Sequence, residues 1–115
     1  MRPSGEPPSI VVCHQGDTLA LGLVLAGLEE EGVPARVERV TGMATAAALA
    51  HRGAGSSVLD VGVGIGADGT VCVHHVKLPV GEPALRTRDP ARYRDLGHDA
   101  ARIVKVVPLT LAGDD

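Results

Sequence analysis

The 115-residue sequence has no Phe, no Trp and a single Tyr. That absence removes the aromatic platforms on which single-stranded nucleic-acid binders stack bases. The 11 Lys and Arg are outnumbered by 14 Asp and Glu, a formal charge of −3, so no basic field draws phosphate backbones either. Nucleic acid is therefore not expected as a partner. Two cysteines, Cys13 and Cys72, are too few for a disulfide scaffold, and no C-x-x-C spacing offers a zinc or redox site. No stretch approaches the roughly 20 apolar residues needed to span a bilayer. The first eight residues, with three prolines and no apolar run, read as neither a secretion signal nor a membrane anchor. No membrane association is expected, and a reducing cytoplasm is the expected setting.

What is present is aliphatic. The 44% hydrophobic share comes almost wholly from Val, Leu, Ile and Ala, so the core must be built from many small contacts, each worth about 1.5–3 kcal/mol on full burial. The length fits one domain. A flexible lead over residues 1–8, a single domain over 9–111 and a short tail over 112–115 are expected.

Punctuation by turn residues divides the chain. Ser9–Cys13 reads as a strand that stops at Gln15-Gly16-Asp17. Asp17 or Thr18 can then cap a helix through Leu19–Leu28 and three glutamates, stopped by Gly32 and Pro34. Arg36–Val40 alternates as a strand, Met43–Arg52 reads as an Ala-rich helix ended by Gly53-Ala54-Gly55, and Val58–Val63 and Thr70–His75 read as a hairpin around Ala67-Asp68-Gly69. After a Pro-containing connector, a helix is expected from Ala91 to about Val104 and an edge strand over Val106-Val107 and Leu109–Leu111. Strands alternating with helices predict an α/β layered sandwich with a mixed, mostly parallel sheet.

The obvious chemical motifs do not mature into sites. Gly62-Val63-Gly64-Ile65-Gly66 leads into Asp68-Gly69 and another strand, whereas a phosphate-cradling loop must lead into a helix and a P-loop also needs Gly-Lys-Ser or Gly-Lys-Thr. Close packing of a strand is the better reading. His74 and His75 are strand neighbours whose side chains point to opposite faces, and the same divergence separates Cys13 from His14, so neither pair makes a metal site or a nucleophile with its base. Buried structural thiols are expected. No catalytic residues are assigned.

The first helix is more informative. At 100° per residue, Leu21, Val24, Leu25 and Leu28 form a core stripe, while Leu19, Leu23, Ala26 and Glu30 form a second line on nearly the opposite side. The extra stripe is either a protein interface, with Glu30 at its end, or one side of a helix covered on both faces. One carboxylate is a poor metal site alone, although ligands from a partner could complete a shell of hard oxygen donors.

Four segments resemble one family: Leu28-Glu29-Glu30-Glu31-Gly32-Val33-Pro34, Ser56 through Ile65, Val73-His74-His75-Val76-Lys77-Leu78-Pro79, and Leu96-Gly97-His98-Asp99 through Leu109. Together they resemble the small subunit of diol or glycerol dehydratase reactivase. The resemblance implies a fold like the medium subunit of the adenosylcobalamin-dependent dehydratase. It also implies a large ATPase partner that binds ATP and ADP, a heterotetramer with two copies of each subunit, and the dehydratase as indirect client. It implies that this chain occupies the large subunit and is exchanged for the dehydratase medium subunit, so that damaged cobalamin is released. It further implies Glu30 as a ligand to Mg2+ or Ca2+ at the interface, with Leu19, Leu23 and Ala26 nearby, and a cytoplasmic setting that can include a bacterial microcompartment. Residues 11–18 and 80–93 do not carry the resemblance. Alternatives are a cobalamin-contacting homologue of the medium subunit, for which the Asp-x-His-x-x-Gly motif is absent, a small enzyme using Cys13 or a histidine, and a stand-alone protein-binding domain. Self-association of the isolated chain over its uncovered helix face is also conceivable.

Overall fold

A computed structural model describes residues 7–16 and 18–106. Five strands form one sheet in the order β2-β1-β3-β4-β5, with β1 at Ile10–His14, β2 at Ala35–Arg39, β3 at Val61–Ile65, β4 at Val71–His75 and β5 at Leu85–Thr87. Pairing is parallel between β1 and both β2 and β3, and antiparallel on either side of β4. Four strands thus point one way and β4 runs against them, which gives the expected mixed sheet. Helix α1 (Thr18–Glu30) links β1 to β2, α2 (Ala46–Ser56) links β2 to β3, and α3 (Tyr93–Val106) follows a 3-10 turn at Pro90–Arg92. Because the two crossovers leave β1 and β2 in opposite directions along the sheet, their helices lie on opposite faces.

Strand alternation sorts the side chains. Ile10, Val12, Val61, Val63, Ile65, Val71 and Val73 are buried beneath α1 and α3. The opposite face carries Val11 and Cys13 on β1, Gly62 and Gly64 on β3, and Cys72 and His74 on β4, in rows set by register: Cys13–Gly64–Cys72 and Val11–Gly62–His74. The two glycines form a trough for α2. A Cβ on Gly64 would sit 2.1 Å from the Ala46 carbonyl oxygen, and one on Gly62 would sit 2.2 Å from the Ala54 nitrogen. The glycine run is thus a packing device, as the strand reading expected.

Helix ends follow their residues. Gly32 at φ +75° ends α1 in a Schellman turn: its N–H donates to the Glu29 carbonyl at 2.9 Å and that of Val33 donates to the Leu28 carbonyl at 3.2 Å. Thr45 caps α2, its hydroxyl accepting from the Ala48 N–H at 3.1 Å. The hairpin turns where expected, with Gly69 at φ +88°.

Several boundaries differ from the sequence reading. Helix α2 starts at Ala46 instead of Met43 and runs through Gly53-Ala54-Gly55 to Ser56. Those glycines do not stop it, because Gly53 lies against β1, where a Cβ would meet the Val11 carbonyl oxygen at 2.6 Å. Val58–Asp60 form a turn, with Asp60 at φ +64°, and β3 begins at Val61. The connector contains the unexpected strand β5, which is only three residues long. Val106 ends α3 and does not start a strand. The rest of the expected edge strand, 107–111, lies outside the described residues.

Candidate functional site

Helices α1 and α3 cross where two glycines face each other. A Cβ on Gly27 would lie 2.2 Å from the Arg94 carbonyl oxygen, and one on Gly97 would lie 2.3 Å from that of Val24. With backbone against backbone, the inner face of α1 becomes Ala20, Val24, Gly27 and Leu28. This is rotated from the expected stripe: Leu21 and Leu25 are only partly buried. On the outer side Leu19 is 59% exposed. Ala26 is half-buried, and Leu23 packs partly against the core.

The same crossing brings the end of α1 beside α3. Arg94, His98, Arg102 and Lys105 recur at a helical spacing that puts them on one face, and that face meets Glu30 and Glu31. Arg94 Nε donates to Glu30 Oε1 at 3.0 Å, and its Nη2 pairs with Oε2 in a fork. His98 Nε2 lies 2.7 Å from Glu30 Oε1, and its Nδ1 lies 2.7 Å from Glu31 Oε2. Since a carboxylate only accepts, both ring nitrogens can bond together only as the imidazolium. Lys105 Nζ donates to Glu31 Oε1 at 2.9 Å, and Arg102 Nη2 lies 3.5 Å from Oε2. The hydrogen bonds from His98 and then Lys105 hold the Glu31 carboxyl at about 2, well below its ordinary 4.5.

Glu30 is the last residue of α1, and its side chain is 37% exposed. It offers a hard oxygen donor at the end of the outer apolar stripe. Among the described residues no three His, Cys, Asp or Glu side chains come together to hold a metal ion. Arg94 and His98 occupy three of the roughly four lone-pair directions of the carboxylate, and a cation binding there must compete with them.

The remaining expectations resolve structurally. His74 is fully buried, with Nε2 2.9 Å from the Val80 carbonyl oxygen, Nδ1 3.1 Å from that of His75, and its ring 4.9 Å from that of His51. His75, on the other face, has an Nδ1 that accepts from the Lys77 N–H at 3.1 Å. Cys13 and Cys72 are both free and buried, and with Gly64 between them they stand two strand spacings apart, roughly 9–10 Å, too far for a disulfide. Burial, with help from Glu38, pushes the Cys13 thiol up to about 11, the opposite of an activated nucleophile.

Sequence reasoning singled out Glu30 and passed over Arg94, His98, Arg102 and Lys105. Their recurrence every three or four residues was available as a signal, although its partner helix was not. Two of the four segments carrying the family resemblance, those at 28–34 and 96–109, meet at this crossing.

The model of the family described as dehydratase medium subunit matches residues 7–110. The chain belongs to that family. Its relatives include reactivating-factor small subunits. It is 39% identical over 87 residues to a probable glycerol dehydratase-reactivating factor small subunit from Citrobacter freundii, covering 73% of this chain and 74% of that one. It is 35% identical over 108 residues to a propanediol dehydratase-reactivating factor small subunit from the same organism, covering 90% of each. Two solved structures share the fold seen here. A glycerol dehydratase reactivase superposes with a TM-score of 0.82 at 35% identity, covering 90% of this chain and 96% of that one. A diol dehydratase-reactivating factor complexed with ADP and Mg2+ gives 0.78 at 31%, covering 90% and 97%.

Proposed function

We propose that this chain is the exchangeable small subunit of an ATP-dependent, chaperone-like reactivating factor for an adenosylcobalamin-dependent diol or glycerol dehydratase. The observation that carries the reading is a double likeness: one family model describes the dehydratase's own medium subunit, while the relatives with high coverage are reactivating-factor small subunits. Two proteins with one fold and different assemblies can compete for one surface. In this reading the chain caps a large subunit, which holds the nucleotide and the ATPase activity, in a heterotetramer with two of each. When it leaves, the large subunit grips the medium subunit of the dehydratase and loosens it until damaged cobalamin escapes. The chain itself breaks no bond and works in the cytoplasm.

Exchange requires two interfaces of comparable strength. A difference of about 1.4 kcal/mol already biases occupancy tenfold, so a modest nucleotide-dependent change on the large subunit suffices to switch partners. A half-covered apolar stripe is suited to this: Leu19, Leu23 and Ala26 supply contact, and Glu30 supplies one oxygen to a divalent cation whose other ligands come from the large subunit. Arg94 and His98 hold that carboxylate in place in the free chain.

The test is co-expression with the large reactivase subunit. The chain should co-purify with it, and Glu30→Ala should weaken the complex in magnesium but make little difference after chelation. Equal metal dependence in parent and variant would remove Glu30 from the interface, and failure of the parent to associate would remove the whole reading.

A further inference from the structure

Among the described residues one helix covers the far face of the sheet and leaves the side toward β5 open. Helix α2 beds on β1, β3 and β4, and β5 lies beyond it at the sheet edge. On that edge strand Arg86 stands opposite Cys72 and on the same face, with Arg88 two residues on. Between these arginines and the start of α2 runs an open groove of about 740 Å³, with the buried Cys72 in its lining, Ala47 on the helix side and Thr70 at the turn. That volume is the size of a small-molecule site.

Position and charge say what kind of molecule fits. Gln15 follows β1 and Asp68 follows β3, and both line the groove. It therefore opens at the carboxyl ends of two neighbouring parallel strands, the edge of the sheet outside which open α/β folds bind their ligands. Arg88 is already paired with Asp68 at 3.2 Å. Among the described residues Arg86 has no carboxylate within ion-pair distance, and it stands beside Cys72 across the β4–β5 pair. A guanidinium with unspent donors in a fixed fork, beside small apolar side chains, suits an oxyanion attached to an organic body.

We propose that this groove binds a small molecule bearing a phosphate group, with Arg86 as the main partner of the phosphate and Arg88 as a secondary one. The site lies across the sheet from the α1–α3 crossing and does not depend on the assembly proposed above.

Inorganic phosphate is the probe. In 15N-resolved NMR titrations at constant ionic strength, the Ala47, Thr70 and Arg86 amides should shift and saturate together. Loss of one charge-assisted contact in Arg86→Gln should raise the phosphate Kd about tenfold or more, and Arg88→Gln should raise it less. Arg86 is exposed on a three-residue edge strand, so both variants should keep the parent spectrum elsewhere. Shifts that never saturate, shifts gathered around Arg94 and Arg102, or an Arg86→Gln titration like the parent's would each overturn the proposal.

Discussion

The two faces of the sheet hold their helices by different means. Under α2, glycine and alanine let a helix backbone rest on strand backbone, with Gly62 and Gly64 forming the trough and Ala46, Ala50 and Ala54 entering it. Under α1 and α3, valines, leucines, Ile10 and Ile65 fill most of the space, and close-packed glycines serve where the helices cross, at Gly27 and Gly97. The α2 contact leaves nothing to rearrange. The other face ends in half-covered leucines and a cluster of charges at its rim, groups that can trade one partner for another without unfolding anything. The proposed interface with the large subunit lies on this α1–α3 side.

The largest expected effect breaks the rigid face. Gly64→Val drives two methyls into the backbone of α2 and should cost about 3 kcal/mol or more, read as a collapse of the urea midpoint or loss of soluble protein. On the other face Leu19→Asp should leave the unfolding free energy within about 0.5 kcal/mol of the parent, because the side chain is mostly exposed, while abolishing co-purification with the large subunit. Leu23→Asp should lose both, since Leu23 also packs against the core. If Leu19→Asp still binds, the outer stripe is not the interface.

A smaller effect sharpens the role of the charges. The Glu31 carboxyl is depressed in the folded chain, so its contribution to stability is complete above about pH 4.5 and is lost as pH falls toward 2. Urea midpoints of the parent should therefore drop through that window more steeply than those of Glu31→Gln. Coincident pH profiles would show that the His98 and Lys105 contacts do not persist in solution.

Much of this was legible from residue order alone. Gly32 before Pro34 located the end of α1, Asp68-Gly69 located the hairpin, and the change from strand-like to helix-like spacing gave the fold class. Two kinds of feature were not. Gly53 and Gly55 look like helix stops until the strand lying against Gly53 is known, because a glycine kept for close approach has the same symbol as one kept for a turn. Strand β5 is three residues long, so its alternation is too brief to register in a Pro-containing connector. For the candidate site, Glu30 was singled out by the second apolar line of α1 together with the family resemblance. The basic face of α3 acquires meaning only when the Gly27–Gly97 crossing sets it against Glu30 and Glu31, and that is a tertiary fact.

The most direct test of the exchange is displacement. A purified complex of this chain with the large subunit is mixed with increasing dehydratase medium subunit in the presence of ATP or ADP, and the species are separated by size. The account predicts that this chain appears free in step with the medium subunit becoming bound, with the nucleotide shifting the midpoint. A stable particle holding both, or a complex that never yields this chain under either nucleotide, would contradict it.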